Sequence, residues 1–346
     1  MALTDGAAAA LRARLAWLAE EGHRLVLDGD THATDPALVP APMQARMAAE
    51  PGYFHGRPLT AEELVWEMDA TDVDAALCWQ NPAATPYGDD KAANRAALWA
   101  ANRAIAEAAE RFPRRFIPAG WTDPRALGRD AAIALARACV EELGFAVVKM
   151  NPAQNAYPID DPDVLAVVDA LVSLGAVPAF HYGGDTSFTP AEGLARVAAR
   201  HPGHPVIAVH MGGGGGHFVA SEPLYQATRA LGLATPNLFW ILSARRDTHS
   251  ESDLIAFRAA GAPFDRAIAL ASDAPYGRMS WNFGGYRQMF ATLRHPGHPD
   301  PRLRADPSLF DDEAVARFMG GNLAALLVEA HRRVLGAGAA TGGKAA

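Results

Sequence analysis

Cysteine is scarce in this chain: there are two in 346 residues, Cys78 and Cys139, both inside apolar runs. Such residues read as buried small hydrophobes, so no disulfide framework is expected. Long hydrophobic runs are missing too, and no stretch reaches the roughly 18 uncharged apolar residues that a membrane helix needs. The start, MALTDGAAAALRARLAWLAEEGHR, lacks the basic segment and apolar core of a signal peptide. It reads as a helix over 1–22, capped by Thr4 or Asp5 and running to about Glu21, and the expected compartment is the cytoplasm.

Charge of one sign is nowhere concentrated. The net charge is −8 with no long run of either sign, so neither nucleic acid nor an anionic membrane is an expected partner. Nucleotide signatures are absent as well. No GxGxxG opens a helix after an early strand, and the glycine run 212–216 lacks the GKS or GKT ending of a phosphate loop.

What the chain does have is apolar residues, 50% of the total, set in short runs. That is enough for one large core. The stretch from Val177 to Gly216 shows the pattern. Two apolar runs each stop on a histidine, His181 and His210, and glycines follow each one. Between them, 190–201 opens on Pro190 and spaces its apolar residues three and four apart, as a helix does. The alternation extends both ways. Further strands are predicted at 24–28, 73–79, 116–120, 145–150, 238–242 and 267–271. Helices are predicted at 91–111, 126–143, 161–174, 219–231 and 251–260, and Thr60 with Glu63 forms a capping box that opens another. Residues 35–59 read as an irregular loop insertion after strand one. Helices at 283–294 and 312–334 close the chain, and the Gly/Ala-rich tail 336–346 is expected to fray. Eight strands alternating with helices predict an α/β fold. It is a single (β/α)8 TIM barrel domain over 1–346, its core at about 24–330, with a doubly wound open sheet as the alternative.

A parallel sheet buries both faces of its strands, so reactive groups meet a ligand at the strand ends, which in a barrel form one rim. Strand one supplies Asp28, Asp30 and His32; strand four Lys149; strand five His181; strand six His210; strand eight Asp273. Carboxylates with neutral imidazoles suit Zn²⁺, Mn²⁺ or Fe²⁺, so a metal site is expected on this rim. Lys149 either meets a substrate carboxylate or pairs with an internal one. Arg245 and Arg246 follow strand seven and are placed either to fork a substrate carboxylate or to pair with Asp247 or Glu251. His55, His217 and His249 read as loop residues, either at the surface or within reach of the mouth. His23, His201, His204, His295, His298 and His331 sit in helix ends or Pro-rich loops and read as solvated. The loop 35–59, with Met43, Met47, Tyr53 and Phe54, and the loop 274–287, with Tyr276, Met279, Trp281 and Phe283, are expected to line the mouth. The expected substrate is a small, partly apolar carboxylic acid, contacted by Lys149, Arg245, His217 and Tyr276.

These residues resemble a known family. Asp28-Gly29-Asp30-Thr31-His32, Phe180-His181-Tyr182, Val209-His210-Met211-Gly212 and Ala271-Ser272-Asp273-Ala274-Pro275 look like the amidohydrolase superfamily. Within it they are most similar to the amidohydrolase-2 branch with its aminocarboxymuconate semialdehyde decarboxylase-like enzymes. The likeness covers about residues 24–330. It implies metal ligation by Asp30, His32, His181 and Asp273, with one Zn or Mn ion, and proton transfer by His210. Asp30 stands where the family has His or Glu. The resemblance also implies a homodimer.

Two chemistries use this set. One is non-oxidative decarboxylation, with His210, aided by Asp273, delivering a proton to carbon as CO2 leaves. The other is hydrolysis of an amide, lactone or ester by a metal-activated water, with Asp273 as base. The carboxylate-x-His pair favours the first.

Overall fold

A computed structural model describes residues 2–50, 59–183, 187–213, 222–245 and 247–342. Among the described residues, nine short strands run in parallel: β1 Leu27–Ala33, β2 Ala75–Gln80, β3 Phe116–Pro118, β4 Gly120–Trp121, β5 Val147–Met150, β6 Val177–His181, β7 Val206–Val209, β8 Leu238–Leu242 and β9 Ile268–Leu270. Every residue in them is buried, as expected of strands covered by helices on one face and by barrel interior on the other.

Nine strands fill eight barrel positions, because β3 and β4 are halves of the strand expected at 116–120. The Ala119 amide still bonds back to Cys78 O at 2.9 Å, while Thr122 N bonds forward to Lys149 O at 3.1 Å. The chain therefore changes partners at this point. Gly120 belongs at the break, where a Cβ would lie 2.9 Å from the Cβ of Cys139. The ring is completed between its first and last strands. Asp273 N donates to Asp30 O at 3.0 Å and His32 N to Ala274 O at 2.8 Å. The architecture is the expected (β/α)8 barrel.

Strand one differs from its prediction. It starts at Leu27 and runs to Ala33, so Asp30 and His32 lie within the strand and not in a loop after it. Its register against β2 shifts between Asp28 and Thr31. Such a bulge re-aims side chains, here at the mouth end of the barrel. The insertion after it is not irregular throughout: Ala41–Ala49 is a helix and Pro36–Leu38 a short 3-10 turn, while 51–58, with Tyr53, Phe54 and His55, lies outside the described residues. The capping box holds, with Thr60 N donating to Glu63 Oε2 at 3.0 Å and Glu63 N to Thr60 Oγ1 at 3.3 Å.

The C-terminal helix Asn322–Gly342 continues past Gly336, where fraying was expected, and packs on the helix Asp5–Glu21. His331 is buried between them, and His204 and His298 are buried as well, so three histidines expected in solvent are internal. Each has a polar partner: His331 Nδ1 lies 2.6 Å from Leu327 O, His204 Nε2 2.9 Å from Ala176 O, and His298 Nε2 3.5 Å from Glu251. Both cysteines are free and buried, and burial pushes each thiol up to about 12. Of the residues expected at the mouth, Met279 and Phe283 pack in the main core, and Trp281 is 78% exposed.

Candidate active site

The rim of the barrel gathers Asp30, His32 and Asp273. One potential ligand atom from each lies within 4.8 Å of the other two, and all three residues are buried. His32 Nε2 stands 3.6 Å from Asp30 Oδ1 and 3.6 Å from Asp273 Oδ1. The other ring nitrogen, Nδ1, lies 2.8 Å from the backbone carbonyl of Gln80. A carbonyl only accepts, so Nδ1 carries the hydrogen there and Nε2 is the ring atom turned toward two carboxylates. Two carboxylates gathered in a buried site call for a cation. Two donors about 2.1 Å from one tetrahedral ion stand about 3.4 Å apart, close to the spacing observed. The chemistry and the geometry of this donor set fit a divalent metal, and the carbonyl tether is the outer support that metal-binding histidines commonly have.

Asp30 has further partners. Oδ1 accepts from Trp79 Nε1 at 2.6 Å and from Lys149 Nζ at 2.9 Å, and Oδ2 accepts from Ser243 Oγ at 3.0 Å. Burial alone would raise this carboxyl. The Lys149 ammonium, by its charge and its hydrogen bond, with the neighbouring His32 and His210, outweighs burial and holds it well below the usual carboxylate range. Lys149 is 1% exposed, and its ammonium lies 4.4 Å from the Trp79 ring centre and 5.4 Å from that of Trp121. Of the two expectations for Lys149, the internal pairing is the one seen. Asp28 serves the neighbouring turn: it accepts from both the amide and the hydroxyl of Ser272, and burial lifts its carboxyl to about 7 against those bonds.

His181 lies outside the compact trio, although it was expected as a fourth ligand. Its Nδ1 is 3.1 Å from His210 Nε2, with the ring centres 4.4 Å apart. His210 Nδ1 in turn is 2.8 Å from Ser243 Oγ. Burial lowers the His210 pKa, with Asp273 and Asp30 pulling the other way. His210, Met211, Ala244 and Asp273 all hold left-handed backbone, with φ of 76°, 46°, 49° and 59°. Such conformations cost free energy outside glycine and cluster where a rim must aim side chains.

Arg245 does not face the trio. It pairs with Asp253, not with Asp247 or Glu251, and donates to the carbonyls of His210, at 3.3 Å, and Met211. Its guanidinium lies 4.6 Å from the Tyr225 ring centre, and Tyr225 stacks on the buried His249 with centres 4.0 Å apart. Tyr276 is at the mouth, edge-on to His32 at 5.6 Å, and its hydroxyl donates to Asn81 Oδ1 at 2.9 Å. His217 and Arg246 lie outside the described residues. Trp79, Gln80, Trp121 and Ser243 were not singled out from the sequence. Their signal was position: Gln80 and Trp121 end barrel strands, Trp79 stands one residue before such an end, and Ser243 directly follows one.

The Amidohydrolase family model matches residues 27–327. No curated protein matches the sequence. Among solved structures, an uncharacterised TIM-barrel protein from Bordetella bronchiseptica is 17% identical with a TM-score of 0.62, covering 88% of this chain and 99% of that one. A 2,6-dihydroxybenzoate decarboxylase from Rhizobium is 16% identical with a TM-score of 0.61, covering 88% and 98%. A dihydroxybenzoic acid decarboxylase from Polaromonas sp. JS666, with bound manganese and 2-nitroresorcinol, is 14% identical with a TM-score of 0.59, covering 88% and 97%. At these identities the likeness shows the barrel. The family match spans most of the chain and includes all three residues of the trio, so this chain belongs to the amidohydrolase family, in its amidohydrolase-2 branch.

Proposed function

We propose that the protein is a metal-dependent carboxy-lyase acting on an aromatic or conjugated carboxylic acid. The observation that carries this reading is the placement of His32 Nε2 at 3.6 Å from each of two buried carboxylates. Asp30, His32 and Asp273 would hold one divalent ion, Mn or Zn, with His181 as a further donor. When bound, that ion supplies electrophilic pull on the substrate's carboxylate and on a neighbouring oxygen. The named activity of the Rhizobium and Polaromonas proteins supports the direction of the assignment.

Decarboxylation replaces CO2 by a proton at one carbon, so the site needs a proton carrier beside the reacting atom. His210 takes that role in this reading. Burial keeps the free ring neutral. An incoming anionic substrate reverses the balance, because a negative charge nearby favours the protonated ring. His210 thus becomes an acid when the carboxylate to be lost has arrived. Lys149 supplies counter-charge to Asp30. Tyr276, edge-on to His32, gives the mouth an aromatic wall that suits a planar acid, and the buried Trp121, 6.1 Å from His32 between ring centres, backs the site.

The test is metal analysis of the purified protein followed by CO2 release from a panel of hydroxybenzoates and conjugated acids. One divalent ion per chain and CO2 release support the reading. Hydrolysis of esters or lactones without CO2 release overturns it in favour of the hydrolase. Full metal content with no turnover on either panel leaves a binding protein.

A further inference from the structure

Ser243 directly follows β8 and is 1% exposed, next to a residue whose φ is 49°. Its hydroxyl touches two groups that compete for it: Asp30 Oδ2 at 3.0 Å and His210 Nδ1 at 2.8 Å. His210 Nδ1 itself is 3.9 Å from Asp30 Oδ2, beyond direct hydrogen-bond reach. The serine is therefore the link between carboxylate and imidazole.

The hydrogen positions along this chain follow from elimination. Ionised Asp30 accepts only, so the Ser243 O–H is directed at it. That leaves the Ser243 oxygen as acceptor, so His210 Nδ1 bears the hydrogen. The neutral ring then has its lone pair on Nε2, which lies 3.1 Å from His181 Nδ1. His181 Nδ1 must donate to it, so a neutral His181 carries its lone pair on Nε2. One oriented chain, His181 to His210 to Ser243 to Asp30, sets both tautomers.

We infer that Ser243 is a positioning residue: it fixes His210 as the Nδ1–H tautomer and, through it, sets His181 with its Nε2 lone pair outward. The consequence for chemistry rests on the decarboxylase reading; the tautomers do not. His181 would be held in the form that can ligate a metal, and His210 would be held with Nε2 facing His181 Nδ1. Without the hydroxyl, Asp30 Oδ2 at 3.9 Å is too far to take the Nδ1–H bond, and the ring is free to adopt the other tautomer or to turn.

The experiment is long-range ¹⁵N–¹H NMR of the histidine rings, on metal-free and zinc-loaded protein, for wild type, Ser243→Ala and Ser243→Thr. The expected spectrum for wild type shows His210 protonated at Nδ1 in both forms. In Ser243→Ala that signature is lost or mixed with the Nε2–H form, and Ser243→Thr, which keeps the hydroxyl, restores it. If decarboxylation is found, Ser243→Ala is expected to lower kcat about 10- to 100-fold, as for loss of other outer partners, with KM and metal content little changed and with recovery in Ser243→Thr. A wild-type His210 protonated at Nε2, or a Ser243→Ala spectrum identical to wild type, overturns the inference. A wild-type Nδ1–H signature that Ser243→Ala removes, in a protein with no CO2 release, leaves the tautomer assignment standing and removes only the decarboxylase reading.

Discussion

His32 Nε2 is equidistant from Asp30 Oδ1 and Asp273 Oδ1, at 3.6 Å each. One residue comes from the first strand and the other from the turn after the last, so the trio spans the seam where the barrel ring is completed. A cation there ties both ends of the barrel together. Manganese or zinc at 100 times its dissociation constant is therefore expected to raise unfolding free energy by about 2.7 kcal/mol. The gain should appear in thermal melts with and without chelator. His32→Ala should abolish both the gain and the bound ion. A melt insensitive to chelator and metal would remove the trio as a binding site.

Lys149 supplies the second prediction. It is sealed between Trp79 and Trp121 with its ammonium on Asp30. Removing one partner of a buried pair leaves the other charge unpaired, at a cost of about 3–5 kcal/mol. Lys149→Met should therefore lose that much in urea unfolding of the metal-free protein. Added divalent ion should recover part of it, by supplying positive charge to the same carboxylate. A stable variant with weakened substrate binding would instead return Lys149 to the role of substrate contact.

The barrel and most of its rim were legible in the sequence because both rest on local signals. Short apolar runs ending on His181, His210 and Asp273 mark strand ends, and a barrel places strand ends together whatever the loops do. What was not legible depends on pairing across the ring. Whether Lys149 turns to Asp30 or to a substrate is decided by Trp79 and Trp121, some 70 and 28 residues away from it in the chain. The bulge that puts Asp30 and His32 inside β1 arises from register against β2, which spacing alone does not reveal. The buried His204, His298 and His331 looked solvated because their burial comes from packing partners distant in sequence.

Arg245 separates two roles by kinetics. Its side chain is 1% exposed and spans Asp253 and the carbonyls of His210 and Met211, so it braces a left-handed turn. Arg245→Met should destabilise the protein by about 1–3 kcal/mol, because Asp253 keeps Arg229 while the carbonyls of His210 and Met211 lose this donor. On an active substrate it should lower kcat more than it raises KM, because His210 loses its brace. Unchanged stability with a raised KM alone would show that the guanidinium holds substrate.

His331 sets an acid limit on stability. Its Nδ1 lies 2.6 Å from Leu327 O, and its Nε2 accepts from Arg14 Nε at 3.4 Å, so the ring must be neutral to take that bond. Burial, with the Arg14 charge second, pushes its pKa down from 6.5 to about 3. Between those values the unfolded chain binds more protons than the folded one, so stability falls as pH drops from 6.5 toward 3. At pH 5 this amounts to about 2 kcal/mol relative to neutral pH. Asp123 and Asp28, raised by burial to about 6 and about 7, act with the opposite sign, since each favours folding less as pH rises through its window. The wild-type profile is therefore a composite, and the useful quantity is the difference between wild type and His331→Gln. Urea unfolding at pH 5 and pH 7.5 should show the variant losing about 2 kcal/mol less than wild type on acidification. Parallel profiles would mean that His331 takes up its proton without leaving the helix interface.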